Sequence, residues 1–425
     1  MSEKKDSSLM RLNGKSMLVP FILVTSLFFF WGVANNLNDT MLAAFKKIMS
    51  MTDLQTSFIQ MAFYGAYFLL ALPAALFIKK FSYKSGILLG LALYAIGALM
   101  YYPAGLTGSY AFYLVAIFIL ASGCSILETT ANPYILSMGS EETATRRLNL
   151  AQSFNPFGAA TGIILSMMMI LSELHHAGAA ERAQMTADQL QAIQTKELSA
   201  VTMTYLGIGC VLVVIFLIML FSKMPKGSDA DTSLHLGATF KRLFKNKLYS
   251  WGVIAQFFYV GAQVGIWSFS IQIVKKELGL DETNSAYIFL LSIAVFTFAR
   301  FLFTYLMRTI KASKLIIFAA IAAFLLTSGV VLTHGMVLVV CLVAISFFMS
   351  LMFPTIYGFA LDGLGDDAKI GASGLIMAIL GGAVLTPTQG LVSDLTGNLN
   401  MAFLVPMFCF AVVTYYGFMA KKAGK

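Results

Sequence analysis

The chain has 425 residues, 58% hydrophobic and 12% charged, with a formal net charge of +9, against about 25% charged in an average soluble domain. No stretch is polar enough for a large soluble domain, and apolar runs of about 20 residues without alternation exclude a β-barrel, which leaves an all-α polytopic membrane protein. The positive excess is read as loop topology rather than as a surface for an anionic partner, so no nucleic acid is expected.

The N-terminal tail, 1–17, carries Lys4, Lys5, Arg11 and Lys15 ahead of an apolar run. It resembles the start of a signal peptide. No small-residue cleavage site follows and the run has full membrane length, so it reads as a retained first span. Twelve apolar segments follow in order: 18–40, 54–78, 85–105, 110–138, 148–172, 201–221, 250–274, 286–307, 313–333, 336–360, 371–393 and 399–420. With the N-terminus in the cytoplasm, 22 Lys and Arg fall on the inner side and six on the outer, with Arg300 inside a span. Both termini are therefore expected in the cytoplasm, as the positive-inside bias requires.

The first span ends FFFWGVANNLND, from Phe28 to Asp39. At helical spacing Trp31, Asn35 and Asn38 or Asp39 share a face, the expected wall of a polar, aromatic-lined pocket. The fourth span holds Glu128 beside Thr129, Thr130 and Asn132. Asp39 and Glu128 are the two carboxylates read as lying well inside spans, with Asp394 at the outer end of the eleventh. Low dielectric disfavours a charged carboxylate, so an acid in a membrane cavity can exchange a proton as solute binds. The alternative is that each acid caps a helix or bonds a lone hydroxyl or amide.

The fifth span opens RRLNLAQSFNPFG, where Asn149, Gln152, Ser153 and Asn155 can share a face. Amides suit sugar hydroxyls, although they also bond between helices. The outer loop 173–200 contains MTADQLQ, in which Thr186 and Gln189 form a capping-box pattern for a short surface helix. The inner loop 222–249 contains TFKRLFKNKLY, read as a basic amphipathic helix on the membrane surface, with Phe240, Leu243 and Phe244 opposite Lys241 and Lys245.

In the seventh span Phe257, Phe258, Tyr259, Gln263 and Trp267 lie together. Trp251 reads as an interface anchor. Trp31 and Trp267 are deeper and could pack on a sugar ring, or simply pack. Arg300 is expected to pair with a carboxylate or with backbone carbonyls near the inner gate. Pro133 and Pro354 stand 221 residues apart at matching places in the two halves. The plan is thus a cytoplasmic tail 1–17, a six-helix bundle 18–221, a linker 222–249, a second bundle 250–420 and a tail 421–425. Carriers built from repeated halves hold their site between the halves near the bilayer midplane.

Cys124, Cys210, Cys341 and Cys409 lie in apolar spans without metal-type spacing and read as free thiols. No phosphate-binding loop is present, and the four histidines are scattered in loops or at span ends, so neither ATP-driven pumping nor an enzyme is expected.

Taken together, FFFWGVANNLND, LETTANP, RLNLAQSFN, FFYVGAQ, the FPTI segment and GGAVLTP resemble the fucose–proton symporter family of the major facilitator superfamily. The resemblance spans nearly the whole chain. It implies two pseudo-symmetric six-helix bundles, alternating access, and no cofactor beyond a proton as coupling ion. It implies coupling roles for Asp39 and Glu128. Pocket amides match Asn36, Gln152 and Asn155, and pocket tryptophans match Trp31 and Trp267. The family pattern has a tyrosine where this chain has Phe353, which loses a hydroxyl and opens the question of which sugar is carried; Tyr357, one turn on, is the expected compensation. The loop after the second span, AALFIKKFSYKSG, lacks the acid of the general superfamily motif.

The expectation is a monomeric proton-coupled importer of L-fucose or a related hexose in a bacterial inner membrane, its partners a small sugar and the lipid bilayer. The expected substrate contacts are Asn35, Asn36, Glu128, Asn132, Gln152 and Asn155 in the first half, with Trp31. In the second half they are Gln263, Trp267, Phe353 and Tyr357. Sodium coupling on the same fold is the alternative, with a membrane sugar sensor or enzyme behind it.

Overall fold

The computed structural model describes residues 11–12, 15–51, 53–175, 177, 179–182, 184–224, 236–280 and 282–425. Within it, side chains are not described at 11, 12, 15, 39–43, 46, 53, 54, 56, 57, 179, 180, 236, 282 and 283. Among the described residues, twelve helical segments are long and apolar enough to cross a membrane.

Spans 1 to 6 are Leu18–Asn38, Phe58–Lys80, Tyr83–Thr107, Tyr110–Ser137, Glu141–Glu173 and Ala187–Phe221. Spans 7 to 12 are Lys247–Leu278, Asn284–Leu306, Ala312–Leu332, Gly335–Leu361, Gly365–Thr396 and Leu399–Lys422. The first helix runs on past its apolar part to Ile48. Before it, Arg11–Leu12 and Lys15–Ser16 pair as a two-stranded antiparallel ladder.

Apolar side chains are little use as glue in lipid, so close helix contacts rely on small residues. In each half one glycine shows this. A Cβ at Gly158 in span 5 would overlap the Phe29 carbonyl of span 1, and a Cβ at Gly381 in span 11 would overlap the Phe257 carbonyl of span 7. The two contacts are counterparts, one per half.

Among the described residues, spans 5, 10 and 11 are interrupted near their middles, and span 3 near its end, between Tyr83–Leu99 and Tyr101–Thr107. Span 5 is helical over Ala144–Gln152 and again over Asn155–Leu165. Span 10 is helical over Gly335–Met349 and Met352–Leu361. Span 11 passes through a tight turn at Ala378–Leu380. By contrast span 4 remains one helix, Tyr110–Ser137, through Pro133.

The halves meet at the end where span 1 begins and span 12 finishes. There Asn149 of span 5 donates to Thr355 of span 10 at 3.3 Å, and Thr145 lies against Gly358. Lys369 sits over the Tyr83 ring at 5.1 Å. Tyr357, Ala360, Ile370 and Leu375, from the second half, belong to the same buried apolar cluster as the first half.

The linker holds a helix, Leu236–Lys245, as expected. Leu243 is buried and Phe240 half-buried, while Phe244 is exposed, its ring stacked 6.4 Å from Phe240. A polar clamp also holds the helix. Arg242 reaches Asp367 with Nε at 2.6 Å and Nη2 at 2.7 Å, and Thr239 donates to the same carboxylate at 3.1 Å. This pins the helix to the start of span 11 rather than leaving it free to roll.

The outer loop differs from expectation. The Thr186–Gln189 capping box forms, but it opens one 35-residue helix, Ala187–Phe221, that continues as span 6. That helix carries a buried carboxylate, Glu197, which falls within the expected loop 173–200. Arg182 grips it with Nη1 at 3.0 Å and Nη2 at 2.5 Å, and the His175 backbone N–H donates at 2.7 Å. A buried acid so paired is a structural staple.

Candidate functional site

Span 4 presents Glu128 on the side facing the second half. The residue is 9% exposed, and Tyr67 of span 2 donates its hydroxyl to Oε1 at 3.2 Å. One turn on, Asn132 turns its amide back to the Glu128 carbonyl at 3.0 Å. That leaves Asn132 Oδ1 to accept from Gln152 of span 5 at 2.9 Å. Tyr67–Glu128 thus ties span 2 to span 4, and one turn on Asn132–Gln152 ties span 4 to span 5. Such bonds hold each polar group at a defined place because low dielectric makes an unmade hydrogen bond costly.

The first span contributes less directly. Trp31 is 2% exposed, packs on Phe28 at 4.9 Å and donates to the Cys124 carbonyl at 3.2 Å. The structure therefore sets it inside the first half, bracing span 1 on span 4. Asn155 likewise donates across to the Phe28 carbonyl at 3.1 Å. Asn38 donates to Gln60 at 3.4 Å and Asn36 to the Gly32 carbonyl at 3.0 Å. Asn35 is half-buried, and its Oδ1 has no hydrogen-bond partner among the described residues. The expected single wall of Trp31, Asn35 and Asn38 is thereby divided between packing and polar contact. Asp39 lies on the first helix one turn past Asn35, but its side chain is outside the described residues.

The second half answers with aromatic surface. Phe353 is half-buried and packs against the apolar cores of both halves. Its ring stands 6.3 Å from Tyr357 and 6.4 Å from Tyr259. Tyr357 is fully buried, is an electrostatic neighbour of Glu128, and has a hydroxyl without a partner among the described residues. Trp267 is half-buried, stands edge-on to Phe296 at 5.1 Å and donates to Ser346 at 3.4 Å. Gln263, one turn earlier, is half-buried.

Arg300 is 4% exposed and takes the second of its two expected roles. It bonds backbone carbonyls, with Nε to Ser350 at 2.6 Å and Nη1 to Gln152 at 2.9 Å, over the Phe296 ring at 4.6 Å. Tyr67 and Gln60 were not singled out from sequence. Both lie in an apolar span without a spacing signal, and only the helix packing shows that they face Glu128 and Asn38.

The model of the major facilitator superfamily matches residues 21–387. The chain belongs to the major facilitator superfamily. It is 42% identical over 420 residues to the L-fucose-proton symporter of Haemophilus influenzae, covering 96% of this chain and 98% of that one. It is 35% identical over 413 residues to a glucose/galactose transporter of Brucella abortus, covering 94% and 93%. The crystal structure of the superfamily transporter FucP in the outward conformation superposes with a TM-score of 0.88 at 36% identity, over 95% of this chain and 99% of that one. Two six-helix halves around a shared polar site are the superfamily plan, and the broken spans of this chain sit beside that site, where freed backbone groups are tolerated.

Proposed function

We propose that the chain is a proton-coupled monosaccharide importer of a bacterial inner membrane, working as a monomer by alternating access, with both termini cytoplasmic. L-fucose or a related hexose is the cargo. The observation that carries this reading is Glu128, a buried carboxylate held by Tyr67, one helical turn from the Asn132–Gln152 amide pair. The relatives named above, L-fucose-proton symporter and glucose/galactose transporter, support a hexose.

In this mechanism the end carrying the termini is closed, so the site opens outward. Asp39 takes a proton from outside. Glu128, Asn132, Gln152 and Asn35 bind sugar hydroxyls, and Asn36 and Asn155 steady the first-half wall from span 1 and span 5. Phe353, Trp267 and Tyr357 pack on the ring, with Gln263 at their edge and Trp31 bracing the opposite helices. Closing over a charged, unpaired carboxylate would cost roughly 3–5 kcal/mol, so the carrier closes when the acid is neutralised or engaged. Release of sugar and proton inside resets the acids. The proton is the only coupling species in this scheme.

Counterflow in proteoliposomes with labelled L-fucose, D-galactose, D-glucose, D-mannose and N-acetylglucosamine, at several pH values, tests it. The expected result is exchange of one or two hexoses and uphill uptake that follows an imposed pH gradient. Uptake that follows a sodium gradient at fixed pH replaces the proton, and chemically altered sugar inside the vesicles overturns transport.

A further inference from the structure

Arg300 bonds two carbonyls that have something in common. In an α-helix the carbonyl of residue i accepts from the N–H of residue i+4, and proline has no N–H. Four residues after Gln152 stands Pro156, and four residues after Ser350 stands Pro354. Both carbonyls are therefore orphaned by the sequence, and each lies at a helix break, in spans 5 and 10. Arg300 takes up both, with Nη1 to Gln152 and Nε to Ser350. Its planar fork presents several donors in fixed directions, which suits two acceptors at once.

The two acceptors belong to different halves. Ser350 lies in the same half as Arg300 and moves with it, whereas Gln152 lies across the interface. Parting the halves at the closed end must break the Gln152 bond and leave both an orphaned carbonyl and an under-bonded guanidinium. The same Gln152 lends its side chain to Asn132, which lies one turn from Glu128 and donates to its backbone carbonyl. We propose that Arg300 is a positioning residue that latches the two halves by capping a proline-orphaned carbonyl in each, and that Gln152 ties this latch to the sugar and proton site. This goes beyond the transport reading and rests on it only in requiring alternating access.

The reporter is Thr355→Cys in the full chain in membranes. Thr355 is buried at the closed interface and accepts from Asn149 of the other half at 3.3 Å. Labelling by N-ethylmaleimide without sugar reads opening of that end directly, so its outcome does not depend on which sugar or ion is carried. Adding Arg300→Gln is expected to raise the labelling rate at 355 by about fivefold or more, as the open population grows. The native Cys124 and Cys409, fully buried inside the first and second halves, are expected to label at the parental rate. Arg300→Lys keeps the charge without the fork and is expected to fall between; it carries the comparison alone if the Gln variant does not reach the membrane. A rate at 355 within about twofold of the parent overturns the latch. So does a rise shared by Cys124 and Cys409, which reports general loosening.

Discussion

The two halves share a scaffold and differ in what they show each other. Pro133 and Pro354 are counterparts, 221 residues apart. At the same offset Glu128 matches Met349 and Asn132 matches Phe353. In the register set by Gly158 and Gly381, Gln152 and Asn155 match Leu375 and Ala378. The packing glycines keep their role in both halves, while four polar positions of the first half become apolar in the second. Repeat symmetry thus governs how helices approach, and asymmetry at the facing walls makes the site. One wall is polar and carries a carboxylate, the other is aromatic and apolar; in the proposed mechanism the first binds hydroxyls and a proton and the second covers the ring.

That contrast can be broken. The largest effect is expected from the acids, which have no counterpart in the second half: Asp39→Asn and Glu128→Gln should each abolish uphill accumulation in energised vesicles. Normal accumulation by either variant removes that acid from coupling. Next comes the shared scaffold. Gly158→Leu and Gly381→Leu force a side chain into a backbone contact, and overpacking of this kind costs about 1–3 kcal/mol or more. Both should lower the melting temperature in detergent by similar amounts, and a large difference between them would end the claim that the two contacts are equivalent.

Within the polar wall, Gln152→Ala leaves Asn132 Oδ1 without its 2.9 Å donor. An unsatisfied buried group costs roughly 1–3 kcal/mol, so half-saturation for the transported sugar should rise about tenfold in a zero-trans uptake assay. The smallest effect is expected from the apolar wall. Phe353→Tyr adds one hydroxyl beside Tyr357, and a single net hydrogen bond is worth about 1 kcal/mol. The ranking of competing sugars should shift by no more than about fivefold, read by inhibition of labelled uptake.

Much of the plan was legible before any coordinates. Twelve spans, the division into halves and the linker helix follow from apolar length and charge, and Glu128 stood out as an acid in a greasy helix. The ion pair of Arg182 and Glu197 was not, since a helix that begins in polar residues and ends in apolar ones looks like a loop followed by a span. Trp31 looked like a pocket residue because depth alone does not say which side of a helix is covered. The role of Arg300 was half-visible. Backbone carbonyls were expected, but Gln152 and Ser350 are separated by 198 residues and only the folded chain brings both to one guanidinium.

By itself the order of residues determined that this chain crosses a membrane twelve times in two related halves, because each span is an independent transfer of some 20 apolar residues into hydrocarbon. It also determined which backbone groups proline would leave unbonded. The tertiary structure alone decided which of those groups are capped, which amides face the acid, and which end of the molecule is shut. Those are matters of helix rotation and inter-half contact, set by packing between residues far apart in the chain.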